Sequence, residues 1–164
     1  MPSGRTIRYA SADNEHMKAA ETACREFSTD RQHPTGAVLV KDGKIFAKGA
    51  NQSALKNKIL LGLHRQGWCI RRLFRIPSGQ KYWLCPGCAS SKNHAERQVV
   101  KDARKWGTET AGADLYLWGH WWCCEPCWNA MIKAGIRDVY LLEESERLFD
   151  KNQPDNIIGR QFEI

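Results

Sequence analysis

The sequence contains no run of 18 or more apolar residues, and residues 1–9 lack the apolar stretch of a secretory signal peptide. The first absence excludes a membrane-spanning helix, and the second predicts a soluble, cytoplasmic chain with no membrane partner. The 164 residues are too few for two compact domains, and an apolar content of 42% excludes wholesale disorder. We therefore expect a single domain over residues 1–164.

Acidic residues are missing from one third of the chain. Between Gly43 and Ala95 there is no Asp or Glu, although the same stretch contains ten Lys and Arg residues. The whole chain has 25 Lys plus Arg against 18 Asp plus Glu, so its entire excess of +7 lies in this stretch. Such an asymmetry indicates an anionic partner, either a phosphorylated small molecule or nucleic acid. The alternative is a solvated surface loop.

Regular patterns flank the acid-free stretch. Their spacing predicts helices over about residues 11–27, 94–106 and 124–133, strands over 114–118 and 138–142, and a hairpin over 36–49 that turns at Asp42-Gly43. Ser11 or Asp13 is predicted to cap the first helix. Alternating helices and strands predict an α/β fold with a central sheet. Residues 52–93 have no clear period beyond short helices at 55–63 and 69–74, which favours a functional or metal-stapled insertion.

Seven cysteines are many for this length. The odd number and the absence of a signal peptide argue against a disulfide framework, and clustered C-x-x-C spacings more often bind metal. Two such pairs occur, Cys85-Pro-Gly-Cys88 and Cys124-Glu-Pro-Cys127. Because histidines lie near both pairs, the sequence predicts zinc.

The strongest motif is His94-Ala-Glu96, followed 28 residues after Glu96 by Cys124-x-x-Cys127. Each half is predicted to begin a helix, where the helix dipole stabilises ionised thiolates. His94, Cys124 and Cys127 would supply three zinc ligands and leave the fourth position open, which is typical of a catalytic site. Glu96 is close enough to reach a water on the metal without binding the metal itself. The alternative is a structural zinc site without chemistry.

These motifs resemble the zinc-dependent cytidine/deoxycytidylate deaminase family, and most closely its deoxycytidylate (dCMP) deaminases. The resemblance covers about residues 10–143. It includes the hairpin that ends in Gly49-Ala-Asn51, the two zinc motifs, and an insertion that contains Cys69-Ile-Arg-Arg72, Ile76-Pro-Ser-Gly79 and Leu84-Cys85. It implies a three-layer α/β/α sandwich with a central mixed sheet, a Zn²⁺ cofactor, and hydrolysis of dCMP to dUMP and ammonia.

The resemblance also implies roles for individual residues. Glu96 would be the proton shuttle, and Asn51 would contact the sugar unless it is only a turn residue. Further substrate contacts are expected from Ala95, Trp122 and Cys123, and phosphate contacts from Arg71 and Arg72. The residue before the first zinc cysteine is usually Pro in the family but is Cys123 here, so Cys123 and Cys127 form an alternative ligand pair.

The insertion contains a second set of candidate ligands: Cys69, Cys85, Cys88 and His64. Four such ligands would close a structural zinc site, with buried free thiols as the alternative. His33 or Cys24 are alternatives to His64 as the fourth ligand.

Two other functions are open at this stage. Deaminases of cytosine or adenine in single-stranded nucleic acid or tRNA share the zinc motif and favour basic, aromatic surfaces. A non-catalytic zinc-scaffolded binding module is also conceivable, but a structural zinc has no use for Glu96. The family resemblance further implies a homo-oligomer.

Overall fold

The computed structural model describes residues 6–30, 33–76, 80–150 and 152–158. The strands are β1 (Ile7–Ala10), β2 (Gly36–Lys41), β3 (Lys44–Ala50), β4 (Asp114–Trp118) and β5 (Val139–Leu142). The α-helices are α1 (Glu15–Phe27), α2 (Lys58–Arg65), α3 (Ile70–Leu73), α4 (Ala95–Lys105), α5 (Glu125–Lys133) and α6 (Ser145–Phe149), with 3-10 turns at Tyr82–Leu84 and Ser91–Asn93. Within these ranges no helix has both the length and the apolar character needed to cross a bilayer.

The five strands form one mixed sheet in the order β1-β5-β4-β2-β3. β2 pairs antiparallel with both β3 and β4, whereas β5 pairs parallel with both β4 and β1. The parallel β4–β5 pair requires a crossover, and α5 supplies it. The hairpin between β2 and β3 turns at Asp42 and Gly43 with φ of 52° and 73°, which confirms the predicted positive-φ turn.

Each face of the sheet carries its own apolar core. Along β2 the side chains alternate, so Ala37 and Leu39 enter the core beneath α4 and α5, whereas Val38 and Val40 enter the core beneath α1 and α6. Both cores are almost fully closed to solvent. The helices therefore cover the mixed sheet on both sides, and the predicted three-layer α/β/α fold is confirmed.

Several local predictions differ from the structure. The cap of α1 is neither Ser11 nor Asp13 but Asn14, whose side chain accepts hydrogen bonds from the backbone N–H groups of His16 and Met17. β1 and α6 were not predicted, because each is only four or five residues long. Residues 1–5, Pro77-Ser-Gly79 of the insertion motif and the side chain of Arg65 lie outside the described part of the chain.

Gly49 allows α4 to lie directly on β3. A Cβ atom at Gly49 would stand 2.5 Å from the backbone nitrogen of Val99 and 2.8 Å from its Cα. These neighbours are helix backbone, which has no freedom to yield. Because α4 begins at the zinc motif, this close contact fixes the position of His94 and Glu96 relative to the sheet.

We predict that Gly49→Ala destabilises the protein by about 1 to 3 kcal/mol, because the added methyl group overpacks the β3–α4 contact. Denaturant unfolding followed by circular dichroism measures this. Gly62→Ala is the matched control, since a Cβ there meets nothing within 4 Å and Gly62 lies inside α2. That control should be neutral or stabilising by up to about 1 kcal/mol. Equal stability of the Gly49→Ala variant and the native chain would contradict the packing argument.

Candidate metal centre and active site

The two zinc motifs meet at the N-termini of two neighbouring helices. His94 is the N-cap residue of α4 and Cys124 is the N-cap residue of α5, as the sequence predicts. Neither side chain makes a capping hydrogen bond, so both remain available as ligands. Cys127 lies in the first turn of α5 and is fully buried. The helix dipoles favour negative charge at this meeting point.

The distances among these three side chains fit one metal ion. The Nδ1 atom of His94 lies 3.6 Å from the Sγ of Cys124 and 3.5 Å from the Sγ of Cys127. Tetrahedral zinc, with Zn–S near 2.3 Å and Zn–N near 2.0–2.1 Å, places N and S ligand atoms about 3.5–3.6 Å apart. Among the described residues, the metal-ligand group contains Cys124 and Cys127 with His94 and does not include Cys123. The donor set therefore fits zinc with three protein ligands.

Glu96 lies in the first turn of α4, and only 4% of its surface is exposed. Burial raises the pKa of its carboxyl group, and the nearby His94 opposes this effect. The thiol of Cys123 hydrogen bonds to the same carboxylate, and burial together with the Glu96 charge raises the pKa of that thiol. Cys123 is thus a neutral neighbour that orients Glu96, a contact that the sequence motif alone did not reveal.

Cys124 is the more acidic of the two zinc-motif thiols. The hydrogen bond from Cys127 is the largest influence, and with the further bond from His94 it lowers the pKa of Cys124 to about 4. The same Cys127–Cys124 bond raises the pKa of Cys127. A site that already stabilises one thiolate without an ion is prepared for a cation.

Asn51 is 5% exposed, and all its side-chain polar atoms are engaged. Its Oδ1 accepts hydrogen bonds from the Ser28 hydroxyl at 2.6 Å and from the Thr35 backbone N–H at 3.0 Å, while its Nδ2 donates to the His33 carbonyl at 2.6 Å. Asn51 therefore holds the loop between α1 and β2. The predicted sugar contact of Asn51 stays a prediction.

His120 lies beside the metal centre and has no counterpart among the predicted site residues. Its ring stands 6.4 Å from that of His33 and 5.5 Å from that of Trp122, measured between centroids. Its Nδ1 accepts hydrogen bonds from the backbone N–H groups of Trp121 and Trp122 at 3.1 and 3.2 Å. Burial, followed by the charge of His94, lowers the pKa of His120 to about 4. A neutral His120 thus shapes the loop that carries Trp122.

The remaining predicted site residues lie in different environments. The methyl group of Ala95 is fully buried in the core, so only its backbone can face a ligand. Trp122 is 46% exposed and Arg72 is exposed. Arg71 is buried, and its guanidinium contacts the Gln80 carbonyl, the Cys88 sulfur and the Tyr82 ring rather than lying on the surface. The sequence does not indicate which of the two is buried, because Arg71 and Arg72 are identical, neighbouring residues.

The structure also brings together the second predicted ligand set. His64, Cys69, Cys85 and Cys88 are all buried, and their ligand atoms lie within 4.8 Å of one another. His64 rather than His33 or Cys24 completes this group, since Cys24 packs in the core beneath α1. Tyr82 connects the two groups, because its ring lies 6.2 Å from the His94 ring in an edge-on arrangement.

Comparison with known proteins identifies one family. Residues 10–143 match the cytidine and deoxycytidylate deaminase zinc-binding region. The chain is also 28% identical over 130 residues to ComE operon protein 2 of Bacillus subtilis (strain 168), a match that covers 79% of this chain. The match spans only 55% of that relative, so the chain covers about half the length of the curated protein it resembles.

Two solved structures show partial similarity. A dCMP deaminase from the cyanophage S-TIM5 is 22% identical, with coverage of 79% of this chain and 82% of the other and a TM-score of 0.46. A diaminohydroxyphosphoribosylaminopyrimidine deaminase/5-amino-6-(5-phosphoribosylamino)uracil reductase from Thermotoga maritima is 25% identical, with coverage of 77% and 28% and a TM-score of 0.45.

We predict that His120 titrates with a midpoint near pH 4, well below the ordinary value of 6.5. A pKa that is lowered by folding means that the unfolded chain binds more protons between these values, so stability should fall as the pH drops from 6.5 through 4. The ring-proton resonance of His120 in an NMR pH titration measures the midpoint, with His120→Gln used to assign it. A midpoint at or above pH 6 would show that the ring is not held neutral.

Proposed function

The chain belongs to the cytidine and deoxycytidylate deaminase family, and on that premise we propose that it is a hydrolytic deaminase of a cytosine nucleotide, converting dCMP and water to dUMP and ammonia. His94, Cys124 and Cys127 hold the catalytic zinc in this proposal. Glu96 is its catalytic acid and base.

The observation that carries the proposal is the buried carboxylate of Glu96 beside a three-ligand metal group. A structural zinc site uses four protein ligands and leaves no open position, whereas the described residues supply three ligands here. Glu96 is 4% exposed, and burying a carboxylate lowers the stability of a protein unless the charge is paired. Such a cost is typically retained where the carboxylate has a function. The arrangement therefore supports chemistry rather than scaffolding.

Glu96 accounts for the proton transfers that deamination requires. Water must lose a proton as its oxygen bonds to C4 of the cytosine ring, N3 of the ring must gain one, and the departing amino group must leave as ammonia. A single carboxyl group satisfies this balance if it acts twice. It carries the first water proton to N3, and it then carries the proton of the new C4 hydroxyl to the amino group, so that the C4–N bond breaks, ammonia leaves and C4 becomes a carbonyl. Zinc held by the three ligands would act as a Lewis acid and lower the pKa of water toward ~7.

The raised pKa of Glu96 suits this exchange of protons. Burial brings the carboxyl group closer to its protonated form, so it accepts a proton readily and still returns it within the same turnover. Cys123 donates its hydrogen bond to the carboxylate and restrains its orientation.

The substrate assignment depends on the acid-free segment between β3 and α4. Lys56, Lys58, Arg72, Arg75 and Lys81 are exposed there, and the segment itself contains no Asp or Glu. This segment joins the hairpin end at Asn51 to the metal ligand His94, and in this proposal its cations supply the phosphate contacts. A 5′-phosphate is the smallest anionic group of a cytosine nucleotide that such cations would bind.

A second function is favoured by one feature of the same segment. Trp68 and Trp83 are 77% and 79% exposed, and Phe74 is 69% exposed, among those cations. Exposed aromatic rings interleaved with basic side chains are typical of single-stranded nucleic acid surfaces. Deamination of a base within single-stranded DNA or RNA is therefore the competing proposal.

We predict that Glu96→Gln lowers kcat for dCMP by roughly 10³-fold or more and leaves the zinc content unchanged. The amide keeps the shape of the side chain but cannot transfer the protons. Ammonia release measures kcat and elemental analysis measures zinc. Glu109→Gln, an exposed residue on the loop before β4, is the matched control and should retain native activity. A Glu96→Gln variant with native turnover would contradict the role of Glu96.

We further predict that the enzyme turns over dCMP but not free cytosine, and that deoxycytidine reacts at least about 10-fold less efficiently in kcat/KM because it lacks the phosphate. Single-stranded DNA and RNA oligonucleotides belong in the same panel, with base conversion read by mass spectrometry. The Glu96→Gln protein, purified in parallel, reports any contaminating deaminase. Conversion only within oligonucleotides would replace the dCMP proposal with the nucleic acid one.

A further inference from the structure

The second cysteine group has no part in the proposed deamination. His64 comes from the C-terminal end of α2, Cys69 is the N-cap residue of α3, and Cys85 and Cys88 flank the Pro86-Gly87 turn. Among the described residues, Tyr82 is the partly buried apolar side chain that packs against the three cysteines. The group lies within residues 52–93, which we call the insertion segment.

The distances within the group match a tetrahedral metal site and exclude disulfides. The Sγ of Cys69 lies 3.8 Å from that of Cys85 and 3.6 Å from that of Cys88, and the Sγ of Cys88 lies 3.6 Å from Nε2 of His64. A disulfide requires about 2.05 Å between sulfur atoms. Tetrahedral zinc requires about 3.8 Å between two thiolate sulfurs and about 3.6 Å between sulfur and nitrogen. All four corners come from protein, so the site is closed.

Hydrogen-bond donors surround the sulfur atoms of the group. The backbone N–H groups of Gly87, Ile70 and Cys88 donate hydrogen bonds to the sulfur of Cys85. The buried guanidinium of Arg71 donates to the sulfur of Cys88 at 3.6 Å. Three thiolates around a divalent cation leave one negative charge, and Arg71 lies where it offsets that charge.

The turn between Cys85 and Cys88 leaves space for the ring of His64. A Cβ atom at Gly87 would overlap the imidazole ring of His64, so only glycine allows that ring to reach the sulfurs. The same turn is tied to the beginning of the insertion segment, since the Pro86 carbonyl accepts hydrogen bonds from the Ser53 hydroxyl and the Leu55 backbone N–H. These bonds hold the turn of the ligands against the residues that follow β3.

We propose that His64, Cys69, Cys85 and Cys88 bind a second, structural zinc ion that clamps the insertion segment and sets Tyr82 against His94. Arg71 links the proposed ion site to Tyr82. Its guanidinium donates a hydrogen bond to the Cys88 sulfur, and its Cζ atom lies 3.9 Å from the centroid of the Tyr82 ring. Tyr82 in turn contacts the edge of the His94 ring. The inference does not depend on which substrate the enzyme deaminates.

Zinc stoichiometry of the full-length protein tests the site. Elemental analysis should find two zinc ions per wild-type chain, one in Cys88→Ser and one in His94→Ala. Cys24→Ser, which removes a buried cysteine outside both groups, is the matched control and should keep two. One zinc per wild-type chain, or two in Cys88→Ser, overturns the proposal.

A double variant tests the second site even if Cys88→Ser does not fold. His94→Ala/Cys124→Ser disables the first group and leaves all four proposed ligands intact. Reconstituted with Co²⁺, it should bind one ion with the visible bands of tetrahedral geometry and the sulfur-to-cobalt absorption of a thiolate-rich site. A six-coordinate spectrum or no bound cobalt overturns the proposal. Because neither assay measures turnover, failure of the dCMP assay leaves both results interpretable.

Limited proteolysis tests the clamp. Cleavage within residues 52–93 should be at least about 10-fold faster in Cys88→Ser than in the wild type, and unchanged in Cys24→Ser. Mass spectrometry of the fragments identifies the cleaved bonds. Equal cleavage rates in the wild type and Cys88→Ser would show that no metal clamp orders the segment.

Discussion

The candidate active site depends on the convergence of two helix N-termini. Cys124 begins α5 and His94 begins α4, so their unsatisfied backbone N–H groups and dipoles point toward one small volume. That field favours the thiolate of Cys124 and offsets part of the cost of burying Glu96. A zinc ion in the same volume would add to a potential that the backbone already creates. The sheet maintains this geometry, because both helices pack on the same face and Gly49 lets α4 approach β3 without a side chain between them.

Much of this arrangement could be predicted from local sequence. The hairpin turn follows from Asp42-Gly43, β4 follows from its alternating pattern, and each metal motif stands where a helical pattern begins. Their meeting in space is predicted from the ligand types of the two motifs, and the family resemblance supports it. Spacing along the chain places ligands on a helix, but tertiary packing decides which helices face each other.

Two of the errors share a physical cause, which is that partners distant in sequence decide short elements and buried charges. β1 has four residues and forms because β5 offers a parallel edge, which no local pattern reports. The cap of α1 is a separate, local case, in which the side chain of Asn14, rather than that of Ser11, reaches the free N–H groups. Arg71 and Arg72 look alike in the sequence, yet the fold buries only the guanidinium that faces the cysteine sulfurs.

The proposed second zinc would substitute for a hydrophobic core in the insertion segment. Among the described residues, its apolar cluster consists of Cys69, Cys85 and Cys88 with the partly buried Tyr82, whereas Leu73, Trp68 and Trp83 lie mostly in solvent. A segment of this size buries too little apolar surface to offset the entropy of ordering its backbone. In the proposed site, four ligand bonds to one ion would supply that free energy within a few ångströms and leave the apolar side chains facing outward. The exposed surface of the segment contains both cations and aromatic rings, which a hydrophobic core built from the same residues would bury.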